Sequence, residues 1–314
     1  MRFPRPQPWR RDDVSCRIMS EASPPLLSPE VLHQLERLEL VSRKIFRGRL
    51  KGERRSRRKG QSVEFADFRN YVAGDDVRFI DWHLYARLDR LFLKLFLEEE
   101  DLHFYALVDA SGSMDFGQPT KLQFAKQLAA ALGFIGLCRA DRVKIETLGA
   151  SCTRPGPVWR GRRDVWRMFD YLAGAEPGQN VPLAQGVKDF CLRNSGQGIL
   201  VLITDLLDKN GYEAALRFLL TQQLDLYLIH VLSREELQPD LRGDLKLVDC
   251  EDAAVAEITV SRPLLDRYQK TLAAFVEGAR TFCLRRGITY LMTSTETPIE
   301  RMVTDYLRRR GLVR

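Results

Sequence analysis

Four oxygen-bearing side chains stand where a metal ion or a partner could use them. The stretch "LVDASGSMDFG" (107 to 117) ends an apolar run in Asp109 and then places Ser111 and Ser113 at steps of two. In extended backbone a step of two returns the side chain to the same side, so a carboxylate and two hydroxyls can converge. Hard oxygens of this kind suit Mg²⁺, which prefers six oxygen ligands and usually keeps some waters. A second apolar run, "ILVLITDLLD", ends in Asp205 and offers another carboxylate. The plainer reading is that Asp and Ser cap the helix that follows a strand, as they commonly do at such turns.

These residues need a scaffold that brings the ends of two separate runs together. "LFLKLFL" (91 to 97), "LHFYALV" (102 to 108), "RVKIETL", "GILVLIT" (198 to 204), "LDLYLIHVL" (224 to 232) and "ITYLMTS" read as strands. "RVKIETL" alternates and predicts a half-exposed strand, whereas "GILVLIT" is continuously apolar, as buried parallel strands are. Between them, "KLQFAKQLAAALGFIGL" sets Leu122, Ala125, Leu128, Leu132 and Ile135 on one helical face. "PLAQGVKDFCL" and "GYEAALRFLLTQQ" are also helical. A long helix is expected from Pro263 to Arg286, and "PIERMVTDYLRR" forms a terminal one. The alternation predicts an α/β fold, a doubly wound, mostly parallel sheet of Rossmann type with helices on both faces. Ligands of such sheets bind beyond the carboxyl ends of the strands, where Asp109 and Asp205 would then lie side by side.

Three parts are expected. Residues 1–27, rich in Pro, Arg and Ser, read as a disordered tail. Residues 28–100 form an N-terminal helical and β extension; its helix starts at Ser28-Pro29 and carries Val31, Leu35, Leu38 and Val41 on one face. Residues 101–314 form the α/β domain, with a small β flap at about 240–262 from "LKLVDCED" and "AEITVS".

Composition narrows the function. With 45% apolar and 29% charged residues and a net charge of +7, the chain is ordinary globular material that permits contact with nucleic acid without requiring it. The six cysteines form no CxxC pair, so zinc is not expected and free thiols are. No run is long enough for a membrane span and no secretion signal stands at the N-terminus, so a cytoplasmic location is expected. From Arg43 to Lys59 there are ten Lys or Arg and one Glu. Such a run is usually a solvated loop; binding of a phosphate backbone through 43–59 stays as an alternative.

"DASGSM" with the downstream "ITD" resembles the metal-ion-dependent adhesion site of von Willebrand factor A-like domains. The resemblance implies a metal-binding role for Asp109, Ser111, Ser113 and Asp205. Where those domains have a threonine ligand in a "GGT(D/N)" loop, this chain has "PGQNVPLAQG", which puts Gln179 in that place, followed by Asn180. A longer match lies upstream. "EFADFRNYVAGDDVRFIDWHLYARLDRLFLK" (64 to 94), followed by Glu98 to Glu100, resembles the signature of the bacterial family called domain of unknown function 58. That resemblance implies a von Willebrand factor A-like core. It also implies association with MoxR-type AAA+ ATPases, as an adaptor acting on other protein clients. No enzymatic activity is established for that family.

The residues of 62 to 94 by themselves read as a network of Arg, carboxylate and aromatic groups that folds onto the sheet edge, with a docking surface for another protein as the alternative. The leading expectation is a non-catalytic protein-interaction module. An ion held at the Asp-Ser-Ser site would keep one position open for a partner's carboxylate. The rival is a phosphoryl-transfer or hydrolase-like enzyme using Asp109, but Ser111 stands where such enzymes need a second carboxylate. The GxxxxGK[ST], GxGxxG and GxSxG patterns do not occur in usable positions. The four histidines, His33, His83, His103 and His230, are assigned no chemistry.

Overall fold

The computed structural model describes residues 26–42, 64–97, 102–149, 155–178, 181–241, 243–248 and 255–314. Five parallel strands form the centre: β3 (His103–Asp109), β4 (Arg142–Leu148), β6 (Gly198–Thr204), β7 (Leu224–Leu232) and β10 (Thr289–Ser294). A short strand, β5 (Val158–Arg160), pairs antiparallel with β4 at one edge, giving the order β10-β7-β6-β3-β4-β5. This is the mixed α/β, mostly parallel sheet that the alternation of elements predicts. β6 is buried at every residue because helices cover both faces of the sheet.

Alternation along β3 feeds two cores. Phe104, Ala106 and Val108 point to one side, where they meet α3 (Lys121–Cys138), α4 (Val165–Ala173) and the C-terminal turns. Tyr105 and Leu107 point to the other, under α5 (Leu183–Arg193), α6 (Glu213–Leu220) and the long α8 (Arg262–Arg285). α3 starts at Thr120, whose hydroxyl accepts from Gln123 N at 3.1 Å. It is buried on nearly every side, beyond the single face its spacing predicts. Gly136 allows this: a Cβ there would come within 2.9 Å of Val143 Cγ2 on β4. Burial of a side chain such as Leu128 or Leu132 is worth roughly 1.5–3 kcal/mol each.

The helix predicted from Ser28 is short. α1 (Pro29–Leu35) is capped by the Ser28 hydroxyl, which accepts from Val31 N at 3.4 Å. After it the chain extends, and Leu40 bridges Val313. Leu27, Val31, Leu35, Leu38 and Leu40 all enter the first core. Most of the expected N-terminal tail and the basic segment 43–59 lie outside the described residues.

The segment from 64 to 97 does not join the edge of the central sheet. β1 (Glu64–Asn70) and β2 (Phe92–Leu97) pair antiparallel as a two-stranded sheet of their own. Between them runs α2 (Trp82–Leu88). The expected Arg–carboxylate network is present: Arg69 meets Asp75 at 2.9 Å, Arg78 meets Asp76 at 2.6 Å, and Lys94 meets Asp81 at 3.0 Å. Asp81 caps α2 by accepting from His83 N and Leu84 N, and the hydrogen bond from Lys94 holds its carboxyl below the ordinary range. The flap is a hairpin of β8 (Gly243–Val248) and β9 (Val255–Val260).

Candidate functional site

β3 and β6 are neighbours in register, with Val108 opposite Ile203. Their carboxyl ends therefore bring Asp109 beside Thr204 and Asp205. Asp109 sits at the end of its strand, only 7% exposed. Thr204 Oγ1 donates to its Oδ2 at 2.6 Å, and Ser111 N donates to its Oδ1 at 3.0 Å. The hydroxyls of Ser111 and Ser113 lie 3.0 Å apart and are half-buried. The two hydroxyls do converge, but through a 3₁₀ turn over Gly112–Asp115 and not through the extended backbone that the spacing suggested.

Asp205 is fully buried. Its Oδ1 accepts from Leu207 N at 3.0 Å. Its Oδ2 accepts from Lys121 Nζ at 2.7 Å, and this lysine side chain is itself 0% exposed. Lys121 also donates to Glu236 Oε1 at 2.5 Å. Glu236 is positioned by α7 (Arg234–Leu237), where it completes a capping box with Ser233. Gly117 makes room for this arrangement. It has φ +92, and a Cβ there would come within 2.7 Å of Ser233 Cβ. The loop before α3 can therefore lie against the cap that holds Glu236.

The electrostatics follow from burial. Desolvation, then the neighbouring charge of Asp205, pushes Asp109 up to about 6; hydrogen bonds from Thr204 and Ser111 oppose the rise. Burial alone would lower Lys121, but Asp205 and Glu236 outweigh it and raise the ammonium above its ordinary value. His230 on β7 is fully buried, with Nδ1 2.8 Å from Tyr290 Oη, and burial pushes it down to about 4.

Of the sequence-predicted site residues, Asp109, Ser111, Ser113 and Asp205 are brought to one rim. Gln179 lies outside the described residues, though its flanks reach the same place. Gly178 N donates to Ala110 O at 2.8 Å, and Leu183 N donates to Asp208 Oδ2 at 2.6 Å. Lys121, Thr204 and Glu236 were not legible as site residues. Among the described residues no group of three or more His, Cys, Asp or Glu is placed to hold a metal ion. An ion here would thus depend on the serine hydroxyls beside Asp109. Those three donors are hard oxygens and fit one, while Asp205 already has a cation in Lys121.

Comparison with known proteins bears on the rest. A family model described as "Protein of unknown function DUF58" matches residues 67–276. An uncharacterized protein of Mycobacterium bovis and another of Mycobacterium tuberculosis are each 29% identical over 261 residues, which covers 81% of this chain and 81% of theirs. The crystal structure of the conserved hypothetical protein BatB from Bacteroides thetaiotaomicron aligns with a TM-score of 0.44 at 16% identity, covering 66% of this chain and 98% of that one. Among the described residues no helix is long and apolar enough to cross a membrane.

Proposed function

The chain belongs to the DUF58 family, whose function is unknown, and from that premise we propose that it is a non-catalytic interaction module with a von Willebrand factor A-like core. The half-exposed hydroxyl pair of Ser111 and Ser113, set in front of buried Asp109, is the observation that carries this reading. It offers a polar contact whose charge is held back from water, where it acts more strongly on an incoming group. The partner class we propose is a MoxR-type AAA+ ATPase, on the strength of the signature over residues 64 to 94. Mg²⁺ is proposed as an accessory: Asp109, Ser111 and Ser113 would hold it, with Gln179 as the fourth candidate. When bound, it would bridge to a partner's carboxylate.

Purified wild-type protein, Ser113→Ala and Asp109→Ala are to be compared for binding to the MoxR-type ATPase of the same organism. Loss of binding by variants that melt like the wild type supports the reading. Unchanged binding by both would sink it.

A second reading, phosphoryl transfer through Asp109, draws support from one observation: a buried ammonium, Lys121, stands at the neighbouring strand end. Against it, both Asp109 oxygens already accept hydrogen bonds. Ser111 occupies the place of the second carboxylate such chemistry uses.

A further inference from the structure

β10 stands last in the sheet order and pairs with β7 on one side. Its other side presents a row of main-chain groups. Thr295 N donates to Leu232 O at 3.0 Å, one step past the Ser294–Leu232 pair. Alternate residues of a parallel strand bond to the same neighbour. Thr289, Leu291 and Thr293 therefore face β7, and Tyr290, Met292 and Ser294 turn their N–H and C=O outward. Among the described residues, the main-chain group that reaches this row is Thr297 N, which donates to Ser294 O at 3.0 Å. We infer that this edge is the pairing surface for a second copy of the chain, antiparallel about a two-fold axis at Met292.

The register selects the occupant. In an antiparallel pair, opposite residues at alternate positions exchange both N–H···O=C bonds. With the axis at Met292, that residue lies opposite its own mate, and Tyr290 lies opposite Ser294 of the second copy. Every outward residue then stands at a bonding position, donor against acceptor. Ser294 O takes part through its second lone pair. Two bonds for each of three pairs make about six, against the ~10 ± 5 direct bonds of a typical interface. The row is thus complementary to itself, as an isologous two-fold interface requires.

The side chains leave the edge open to such pairing. "TYLMTS" holds no charge and no Pro, two devices with which sheets keep their edges from pairing. Under the two-fold, Leu291 meets Thr293 on one face and Met292 meets its mate on the other, so no like charges oppose. Met292 is 39% exposed beside the buried Tyr290, which sets an apolar side chain on the axis. The opposite edge of the sheet is closed off. β5 has three residues, and its Arg160 N already donates to Asp164 Oδ2 at 3.1 Å.

The test is sedimentation velocity of the full chain from about 1 to 100 µM, with Met292→Lys and Met292→Glu as variants. Trp82→Ser, at an exposed aromatic outside the central sheet, is the control. Expected is a concentration-dependent dimer in the wild type and in Trp82→Ser. Each Met292 variant alone should dimerise at least about tenfold more weakly, because its charge meets a like charge on the axis. Mixing the two in equal amounts should restore the dimer through opposite charges, a recovery that misfolded variants would not show. Amide exchange at Tyr290, Met292 and Ser294 should slow as the wild-type concentration rises. A wild type that stays monomeric throughout the range overturns the assignment and leaves the edge to a strand of another protein. A dimer that both Met292 variants keep, that their mixture fails to restore, or that Trp82→Ser abolishes overturns it too.

Discussion

Lys121 Nζ lies 2.7 Å from Asp205 Oδ2, and both side chains are fully buried. Glu236 supplies the ammonium's second carboxylate at 2.5 Å. One cation thus sits between two anions, with Asp109 as a third acidic group next door. A buried pair of this kind adds little net stability, but breaking it leaves an uncompensated charge. The rim therefore carries its own counter-ion, contributed by the first residue of α3.

Removing that counter-ion should be costly. Lys121→Met is expected to lose about 3–5 kcal/mol in denaturant unfolding, because two carboxylates lose their partner. Adding Asp205→Asn to it should recover part of the loss. The single variant should also bind Mg²⁺ about tenfold more tightly in titration, since affinity follows the count of ligand charges. Equal Mg²⁺ affinity would show that Asp205 does not act on the ion.

Asp109 and His230 make opposite demands on pH. Asp109 rises from 3.8 to about 6 on folding, so its contribution is present below 3.8 and is lost as pH rises through 6. His230 falls from 6.5 to about 4, so its contribution is present above 6.5 and is lost as pH falls through 4. Between about pH 4 and 6 the folded chain carries a proton on Asp109 and the unfolded chain carries one on His230. The two slopes offset. Asp109→Asn should leave a chain that loses stability in acid relative to wild type. His230→Gln should leave one that loses stability toward neutrality. Each difference should approach about 3 kcal/mol across the window. Parallel pH profiles for all three proteins would refute the offset.

Gly117→Ala should cost more than Gly74→Ala. Both positions have positive φ, so both substitutions strain the backbone by roughly 1 kcal/mol or more. At Gly74 the added methyl meets nothing within 4 Å, whereas at Gly117 it must displace Ser233. Hydrogen exchange should therefore quicken at Ser233–Leu237 in the Gly117 variant alone. Equal melting temperatures for the two variants would contradict this packing.

Incubation with acetyl phosphate should yield no stable adduct on Asp109 by intact mass. A labelled Asp109 that disappears in Asp109→Asn would instead favour phosphoryl transfer over the interaction module.

Much of the fold was readable because its signals are local. Continuous apolar runs announce β6 and β7, and the step of two after β3 announces the hydroxyl pair. Two elements went unread despite a usable signal: α4 carries Val165, Met168, Phe169 and Leu172 at helical spacing, and β5 precedes it. β4 alternates like a half-exposed strand, yet Glu146 and Thr147 are buried in its second half, with Glu146 covered by residues of α5. Lys121 could not be found from sequence. Its partners lie 84 and 115 residues away, and a lysine in a first helical turn ordinarily points into water. "LFLKLFL" announces β2, but its pairing with β1 was unreadable for a different reason: nothing local distinguishes a ribbon of two strands from docking on the larger sheet.

Glu39 and Arg314 exchange main-chain hydrogen bonds, Glu39 N to Arg314 O at 3.2 Å and Arg314 N to Glu39 O at 2.9 Å. The stretch ahead of the basic run is thereby stitched to the far terminus, one interstrand spacing of about 5 Å away. A chain nicked anywhere between 42 and 64 should still migrate as one particle, with the severed piece retained like a tenon in its mortise.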